Sequence, residues 1–205
     1  MENDALFIRK LDNALWLKNL LGCCKDKRFL DEQYENAIEF GKNAAIKYPF
    51  SGESAFKFLF NNGVKKVSKF SETKDCRFYY HAYYEETRAE IAYDETFAND
   101  IYPLSSTLFP WSKEDIIDAL LLHECFHHLE VTKLGLTTEA LSIKKPSAKD
   151  GIWRDIAAFS FVREQKPGLF CQVLDCCWLK VHGKVISKEL NPSIWEMIEA
   201  RKGLS

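Results

Sequence analysis

The chain has 205 residues, enough for one domain, and its 46% hydrophobic content supplies the side chains of a packed core. Its formal net charge of -2 provides no basic excess for phosphate binding, so we expect no nucleic-acid partner. We expect no membrane span either, since no apolar run approaches the roughly 20 residues that cross a bilayer.

Helical spacing of apolar residues dominates the first third of the chain. Residues 4–21 and 31–47 are predicted to form two helices, because their apolar side chains recur at the spacing of one helix face. A third helix is predicted over 52–60, with Ser51 as its N-cap. The N-terminal part is therefore expected to be helical.

The middle of the chain changes to the period of a strand. Side chains alternate in 77–84 and again in 87–94, which predicts a hairpin or meander rich in aromatic residues. A short strand near 64–67 is expected to join this sheet. Pro103 and Pro110 are predicted to bracket a loop.

The last part returns to helical patterns. Ser112 is predicted to cap a helix that runs to about Thr132 and opens with acidic residues. Residues 133–150 are expected to be mostly loop, and 151–165 to form the next helix. Asn191 is predicted to cap a final helix, since a proline follows it.

The most informative segment is the motif His123-Glu-Cys-Phe-His127. Both histidines lie one helical turn apart on the same face, so their imidazoles could share one tetrahedral zinc ion. Glu124 points beside that ion, where its carboxylate could take a proton from water and pass it to a leaving amine. No other charged residue lies between Ala119 and Leu129, and such polar groups are costly on an apolar helix without partners.

A catalytic zinc site needs a third protein ligand and an open fourth position. Asp155 is our candidate, because it lies on the apolar face of the helix predicted over 151–165, where an acid needs a cation. Glu139, in the predicted loop, is the alternative. Glu130 is three residues past His127, but its direction along the same helix makes convergence on the ion difficult.

This arrangement of HExxH followed by an acid on a second helix resembles the gluzincin branch of the zincin metallopeptidases, and most of all the small ImmA/IrrE-type family. That family follows HExxH with a helix written roughly as acid-x-x-Ala-x-x-Phe-Ala, and the residues in register are Asp155, Ala158, Phe161 and Val162. Asp155 replaces the family's glutamate and Val162 its last alanine. The shorter aspartate requires the second helix to come closer to the metal, or a bridging water. The resemblance covers residues 34–165.

Together, the motif and the resemblance predict a cytoplasmic, zinc-dependent hydrolase. One zinc ion is expected on His123, His127 and Asp155, with Glu124 as general base. The resemblance implies cleavage of a protein or peptide, in some cases a regulatory protein. A strand among residues 87–94 is expected to align the substrate as an added antiparallel strand. The candidates for stabilising the oxyanion are the tyrosines at 79, 80, 83 and 84.

We therefore predict an α+β fold, with a small antiparallel or mixed sheet packed on the HExxH helix and additional N- and C-terminal helices. A single zincin-like domain is expected over 1–205. It comprises a helical N-terminal extension over 1–50, a metal-site core over 51–165 and a C-terminal extension over 166–205. The seven cysteines are odd in number and include two adjacent pairs that are awkward to bridge, and the acidic start lacks the pattern of a signal peptide, so we expect the reducing cytoplasm. No CxxC spacing is present to indicate a zinc ribbon or a thioredoxin-like redox site.

Three alternatives stay open. A catalytically inactive zincin-fold protein would act through protein–protein interaction, and replacing Glu124 by Gln would leave its activity unchanged. Glu124 and His127 also read as ExxH, the motif of di-iron carboxylate bundles, but such bundles need a second ExxH and this chain has none. The third alternative is an interaction domain without metal, which would use the helices of 4–47.

Overall fold

The structure is a computed structural model that describes residues 2–17, 27–70, 81–143, 150–183 and 191–201. It has an α+β fold that is mostly helical and contains a small mixed sheet, as predicted. The described elements, in chain order, are α1 (Glu2–Asp12, followed by a π-helical turn over Asn13–Leu17), α2 (Lys27–Lys47), α3 (Ala55–Asn61), β1 (Lys66–Phe70), β2 (Ala82–Glu85), β3 (Glu90–Asp94), α4 (Phe97–Leu108), α5 (Lys113–Leu129, followed by a π-helical turn over Glu130–Leu134), α6 (Thr137–Ala140), α7 (Gly151–Gln165), α8 (Cys171–Val181) and α9 (Asn191–Glu199).

The three described strands form one sheet in the order β1-β3-β2. The central strand β3 pairs in parallel with β1 and antiparallel with β2, and Ile91 lies opposite both Val67 and Tyr84. The predicted hairpin is present in its second half, between β2 and β3, while residues 77–80 lie outside the described part of the chain. The predicted short strand is displaced towards the C-terminus, to β1.

The side chains that alternate in residues 87–94 do not divide into one buried and one exposed face in β3. Its residues from Ile91 to Asp94 are all buried. Successive side chains of a strand point to opposite faces, so both faces of β3 are covered. The strand lies between β1 and β2, helix α5 packs against it, and the ring of Phe56 contacts Tyr93 edge-on. A central strand covered in this way no longer shows a solvent-facing period.

Helix α3 begins later than predicted. Its N-cap is Ser54 and not Ser51, and the Oγ of Ser54 accepts a hydrogen bond from the backbone N–H of Lys57 at 3.3 Å. Both serines suit an N-cap, but Ala55 is the first residue after them that the core buries completely. The start of the helix is therefore set by packing, which local sequence does not reveal.

The predicted loop between the two prolines is also wrong, because Pro103 lies inside helix α4. A proline in a helix removes the hydrogen bond that its own N–H would donate, here to the carbonyl of Asn99, and its ring crowds that carbonyl. The buried residues of α4 recur at helical spacing and outweigh this loss. They are Phe97, Ala98, Ile101, Ser105 and Leu108.

Helix α5 begins as predicted. The Oγ of Ser112 accepts from the backbone N–H of Asp115 at 3.0 Å, and the carboxylate of Asp115 accepts from the backbone N–H of Ser112 at 3.0 Å. This reciprocal capping box satisfies two donors at the start of the helix. Beyond α5 the predicted loop is only partly a loop, because it contains a π-helical turn that ends at Leu134 and the short helix α6. Residues 144–149 lie outside the described chain.

Helix α7 occupies the centre of the fold, where it packs mainly against α2 and also against α5. At Gly41 of α2 the two helices approach so closely that a Cβ would lie 2.1 Å from the carbonyl oxygen of Ala157 and 2.8 Å from the Cβ of Ser160. The hydroxyl of Ser160 donates to the carbonyl of Ile38 at 2.8 Å. These contacts fix one side of α7, about 140–200° around the helix from Asp155.

A buried polar network ties the first helix to the rest of the chain. Asp12 is fully buried and accepts hydrogen bonds from the hydroxyl of Tyr34 at 2.7 Å and from the Nε2 of Gln172 at 2.9 Å. Burial raises the pKa of Asp12 to about 6, against the lowering effect of these two hydrogen bonds. The main hydrophobic cluster likewise runs from Phe7 to Ile198. Within the described residues, no helix has the length and apolar character to cross a bilayer.

Candidate metal centre

Three of the predicted site residues come together between helices α5 and α7. The Nε2 atoms of His123 and His127 lie 3.2 Å apart. The Oδ1 of Asp155 is 3.7 Å from the Nε2 of His123 and 3.5 Å from that of His127. In the part of the chain that the structure describes, these residues form the one group of histidine, cysteine or acidic side chains close enough to hold a metal ion.

The spacing of these three atoms fits a tetrahedral zinc ion. Metal–ligand bonds of about 2.0–2.1 Å at tetrahedral angles place ligand atoms about 3.3–3.4 Å apart. The measured separations of 3.2, 3.5 and 3.7 Å lie around that value. The shorter acid therefore needs no bridging water, because α7 lies close enough for Asp155 to reach both imidazoles.

The metal-ligand group opens onto a cavity of about 960 Å³. Its side chains are partly exposed, at 15% for His123, 12% for His127 and 40% for Asp155. All three line the cavity, and so does Glu124, which is itself buried. The arrangement therefore leaves room on the cavity side for a further ligand next to a carboxylate.

Electrostatic interactions within the group favour a positive charge between Asp155 and His127. Burial acts to raise the pKa of Asp155, but hydrogen bonds with His123 and His127 outweigh it and hold that pKa well below its usual value. Burial acts to lower the pKa of His127, but its hydrogen bonds with Asp155 and Glu130 and the charge of Glu124 raise it to about 10. The site thus attracts positive charge strongly: Asp155 is available as a carboxylate ligand, and a metal ion would take the place of the proton that His127 otherwise holds.

A third carboxyl group, that of Glu130, orients His127. Glu130 is fully buried, and its Oε2 lies 3.2 Å from the Nδ1 of His127. The same carboxylate accepts from the Nε of Arg154 at 2.8 Å and from the backbone N–H of Thr137 at 2.7 Å. A carboxylate that accepts from the Nδ1–H of a histidine fixes its tautomer and leaves Nε2 free to bind metal.

Sequence reasoning considered Glu130 only as a direct metal ligand and missed this orienting role. The signal was present in the spacing, because residues three apart on a helix are neighbours on its surface. Glu130 follows His127 by three positions, at the end of a long apolar helix. A buried acid at that place needs partners, and the first one within reach is the imidazole of His127.

Glu139, the alternative third ligand, lies away from the group. It stands in the short helix α6 with an exposed side chain, and its Oε2 accepts from the backbone N–H of Leu136 at 3.4 Å. It is not among the residues that line the cavity. Asp155, and not Glu139, is therefore the acid that the fold places beside the two histidines.

The candidate tyrosines are only partly accounted for. The hydroxyl of Tyr84 lies 2.9 Å from the Nδ1 of His128, whose Nε2 is 3.2 Å from the carbonyl oxygen of Asn62. His128 thus links α5 to β2 and to the end of α3, and Tyr84 also lines the cavity. Tyr83 lines the cavity and is 46% exposed, and its ring contacts Phe70. The tyrosines at 79 and 80 lie outside the described residues.

The centre is built from two short segments of the chain. Residues 123–130 supply both imidazoles and the carboxylates of Glu124 and Glu130, and residues 154–155 supply the guanidinium and the third candidate ligand. Both segments lie in or directly after buried helices, which hold them in place. No protein-family model, no curated protein and no solved structure matches this chain.

Proposed function

We propose that this protein is a zinc-dependent peptidase whose single zinc ion is held by His123, His127 and Asp155. The observation that carries the proposal is the near-equilateral triangle of three ligand atoms, with edges of 3.2, 3.5 and 3.7 Å, beside Glu124 in an open cavity. A zinc ion bound there would lower the pKa of water and polarise a substrate carbonyl.

Glu124 is the residue we propose for proton transfer. It directly follows the first ligand, is only 7% exposed and lines the same cavity as the metal-ligand group. From this position its carboxylate can accept a proton from the attacking water and deliver it to the leaving amine. Asp155 contacts both imidazoles, and Glu130 contacts that of His127. Glu124 is therefore the acid beside the ligands that is left for proton transfer.

The strand that we now propose for aligning the substrate is β2. The sequence-based prediction placed this role among residues 87–94, but that segment contains β3, which is hydrogen-bonded on both edges and has no free one. Among the described strands β2 pairs only with β3, and Ala82, Tyr83 and Tyr84 of β2 line the cavity. A peptide could add to this edge by backbone hydrogen bonds.

A protein or peptide substrate is supported by this edge strand and by the resemblance to the ImmA/IrrE-type family, which is an analogy of motif and not of sequence as a whole. We also propose a minimal zincin-like packing, in which α5 carries HExxH, α7 carries the acid, and α5 packs on β2 and β3. The cytoplasm remains our expected compartment.

The proposal is tested first by measuring metal content with mass spectrometry on purified wild type, His123→Ala and Asp155→Ala. We expect about one zinc per chain in wild type and loss of that zinc in both variants, since each removes one of three protein ligands. Glu139→Ala serves as the matched control and should keep its zinc. A wild-type protein that takes up no zinc even when zinc is added back would end the peptidase proposal.

Glu130→Gln is expected to weaken zinc binding by about 10- to 100-fold, because it removes the charge that orients His127. Competition with a chromophoric zinc chelator measures this affinity directly. Glu139→Gln, an equivalent change at an exposed acid of the next helix, should leave the affinity unchanged. Equal affinities in wild type and Glu130→Gln would mean that Glu130 serves only to hold Arg154 and Thr137.

A further inference from the structure

Besides Glu124 and Asp155, the cavity contains a carboxylate that the proposed hydrolysis does not use. Asp175 lies in α8 and lines the same cavity as the metal-ligand group. Within the described residues, no side chain or backbone group forms a hydrogen bond or an ion pair with its carboxylate. This contrasts with Asp12, a buried acid of the core that accepts hydrogen bonds from Tyr34 and Gln172.

The cavity that Asp175 lines is largely apolar and aromatic. Its apolar side chains include Leu15, Phe97 and Phe159, and three from the helix of Asp175 itself, Leu174, Trp178 and Leu179. Removal from water raises the pKa of Asp175 to about 7, and the charges of Asp155 and Asp12 act in the same direction. No positive charge of the described chain acts on Asp175 in the opposite direction. A carboxylate that is removed from water without a partner lowers the stability of the fold. Stability therefore does not explain why an aspartate stands at position 175.

The cavity lining carries more negative than positive charge even when the proposed zinc ion is counted, because four acids stand against one arginine and the two charges of the metal. Besides Asp175 its lining contains three acids, Glu86, Glu124 and Asp155. The one arginine or lysine of the described lining is Arg154, whose Nε donates to Glu130. A ligand that brings a cation into this space is therefore favoured over a neutral or anionic ligand.

We propose that Asp175 is a specificity-determining residue that binds the ammonium or guanidinium group of a lysine or arginine side chain in the substrate. The methylene groups of that side chain would lie along the apolar wall, and its charge would pair with the carboxylate at the end. This inference rests on the proposed function, because it assumes a peptide ligand, and it defines the substrate class. A peptide without such a cation would bind more weakly, because it would remove water from Asp175 without pairing with its charge.

The inference is tested by binding, so that it does not depend on catalysis. Two blocked tripeptides, with either lysine or norleucine between two alanines, differ only in the terminal cation. Isothermal titration calorimetry on the zinc-loaded wild type is expected to show binding of the lysine peptide about 10- to 100-fold tighter than the norleucine peptide, as for a buried hydrogen bond to a charged group. In Asp175→Asn the ratio should fall to near one.

Glu86→Gln is the matched control, because Glu86 lines the same cavity but is exposed. It should preserve most of the lysine preference. A preference that survives Asp175→Asn, equal binding of the two peptides by wild type, or no binding of either peptide would each overturn the inference. The thermal midpoint supplies a further check, since Asp175→Asn should keep or raise it. A steep fall in that midpoint would assign Asp175 to the fold and not to the substrate.

These outcomes are separable from those of the proposed function. A lysine preference that disappears in Asp175→Asn supports the cation site even if no peptide is hydrolysed. Hydrolysis by wild type without any preference for basic residues, tested on a peptide mixture by mass spectrometry, supports the peptidase and rejects the role of Asp175.

Discussion

Glu124→Gln is expected to keep about one zinc per chain and to lose about 100- to 10,000-fold in peptide hydrolysis, the usual contribution of a general base. Glutamine has nearly the same size as glutamate but cannot accept the proton, so the metal ligands should stay in place. Zinc content and hydrolysis of a peptide mixture, both measured on the same preparation, check this expectation.

The matched control is Glu114→Gln, an equivalent change at an exposed acid of the same helix. It should retain both zinc and activity. Unchanged hydrolysis in Glu124→Gln would remove Glu124 from the mechanism. A biological effect that persists in Glu124→Gln while hydrolysis is lost would favour the inactive zincin-fold alternative, in which the protein acts by binding.

Gly41→Ala is expected to lower the free energy of unfolding by about 3 kcal/mol or more, at the upper end of the cost of overpacking. The added Cβ would lie 2.1 Å from the carbonyl oxygen of Ala157, which is backbone and cannot move aside without moving α7. This loss of stability is opposite to the usual effect, because the same change in an unconstrained helix stabilises it by about 1 kcal/mol. Urea denaturation measures the difference.

Gly151→Ala is the matched control for this change. It lies in the first turn of α7, and a Cβ there would meet no atom within 4 Å. It should be neutral or stabilising by up to about 1 kcal/mol. Equal stability of Gly41→Ala and wild type would show that α2 and α7 can separate at little cost. We also expect Gly41→Ala to bind zinc less tightly, since a displaced α7 carries Asp155 with it.

The helices that carry the candidate site could be predicted because their signals are local. Ser112 with Asp115 makes a capping box from residues three apart, and His123 with His127 marks one face of the helix that follows. Asp155 could be selected because an acid on an apolar helix face is unusual enough to require an explanation. These inferences need no knowledge of which elements meet in space.

The features that the sequence did not reveal depend on tertiary contacts. Pro103 could not be placed in a helix from local rules, since burial of α4 outweighs the lost hydrogen bond. The position of β3 at the centre of the sheet follows from its pairing with β1 across a long connection, which alternation alone does not encode. The lack of a partner for Asp175 could not be predicted, because it depends on which elements surround α8 in the fold.

Zinc bound as proposed to Asp155 of α7 would also affect the lifetime of the protein. A ligand that binds only the folded chain adds to its stability, by about 2.7 kcal/mol when its free concentration is 100 times its Kd. Asp155 belongs to the helix that packs against both α2 and α5, so this gain acts on the centre of the fold. The amount of intact protein would therefore follow the zinc supply of the cell, with the metal-free chain the preferred target for degradation.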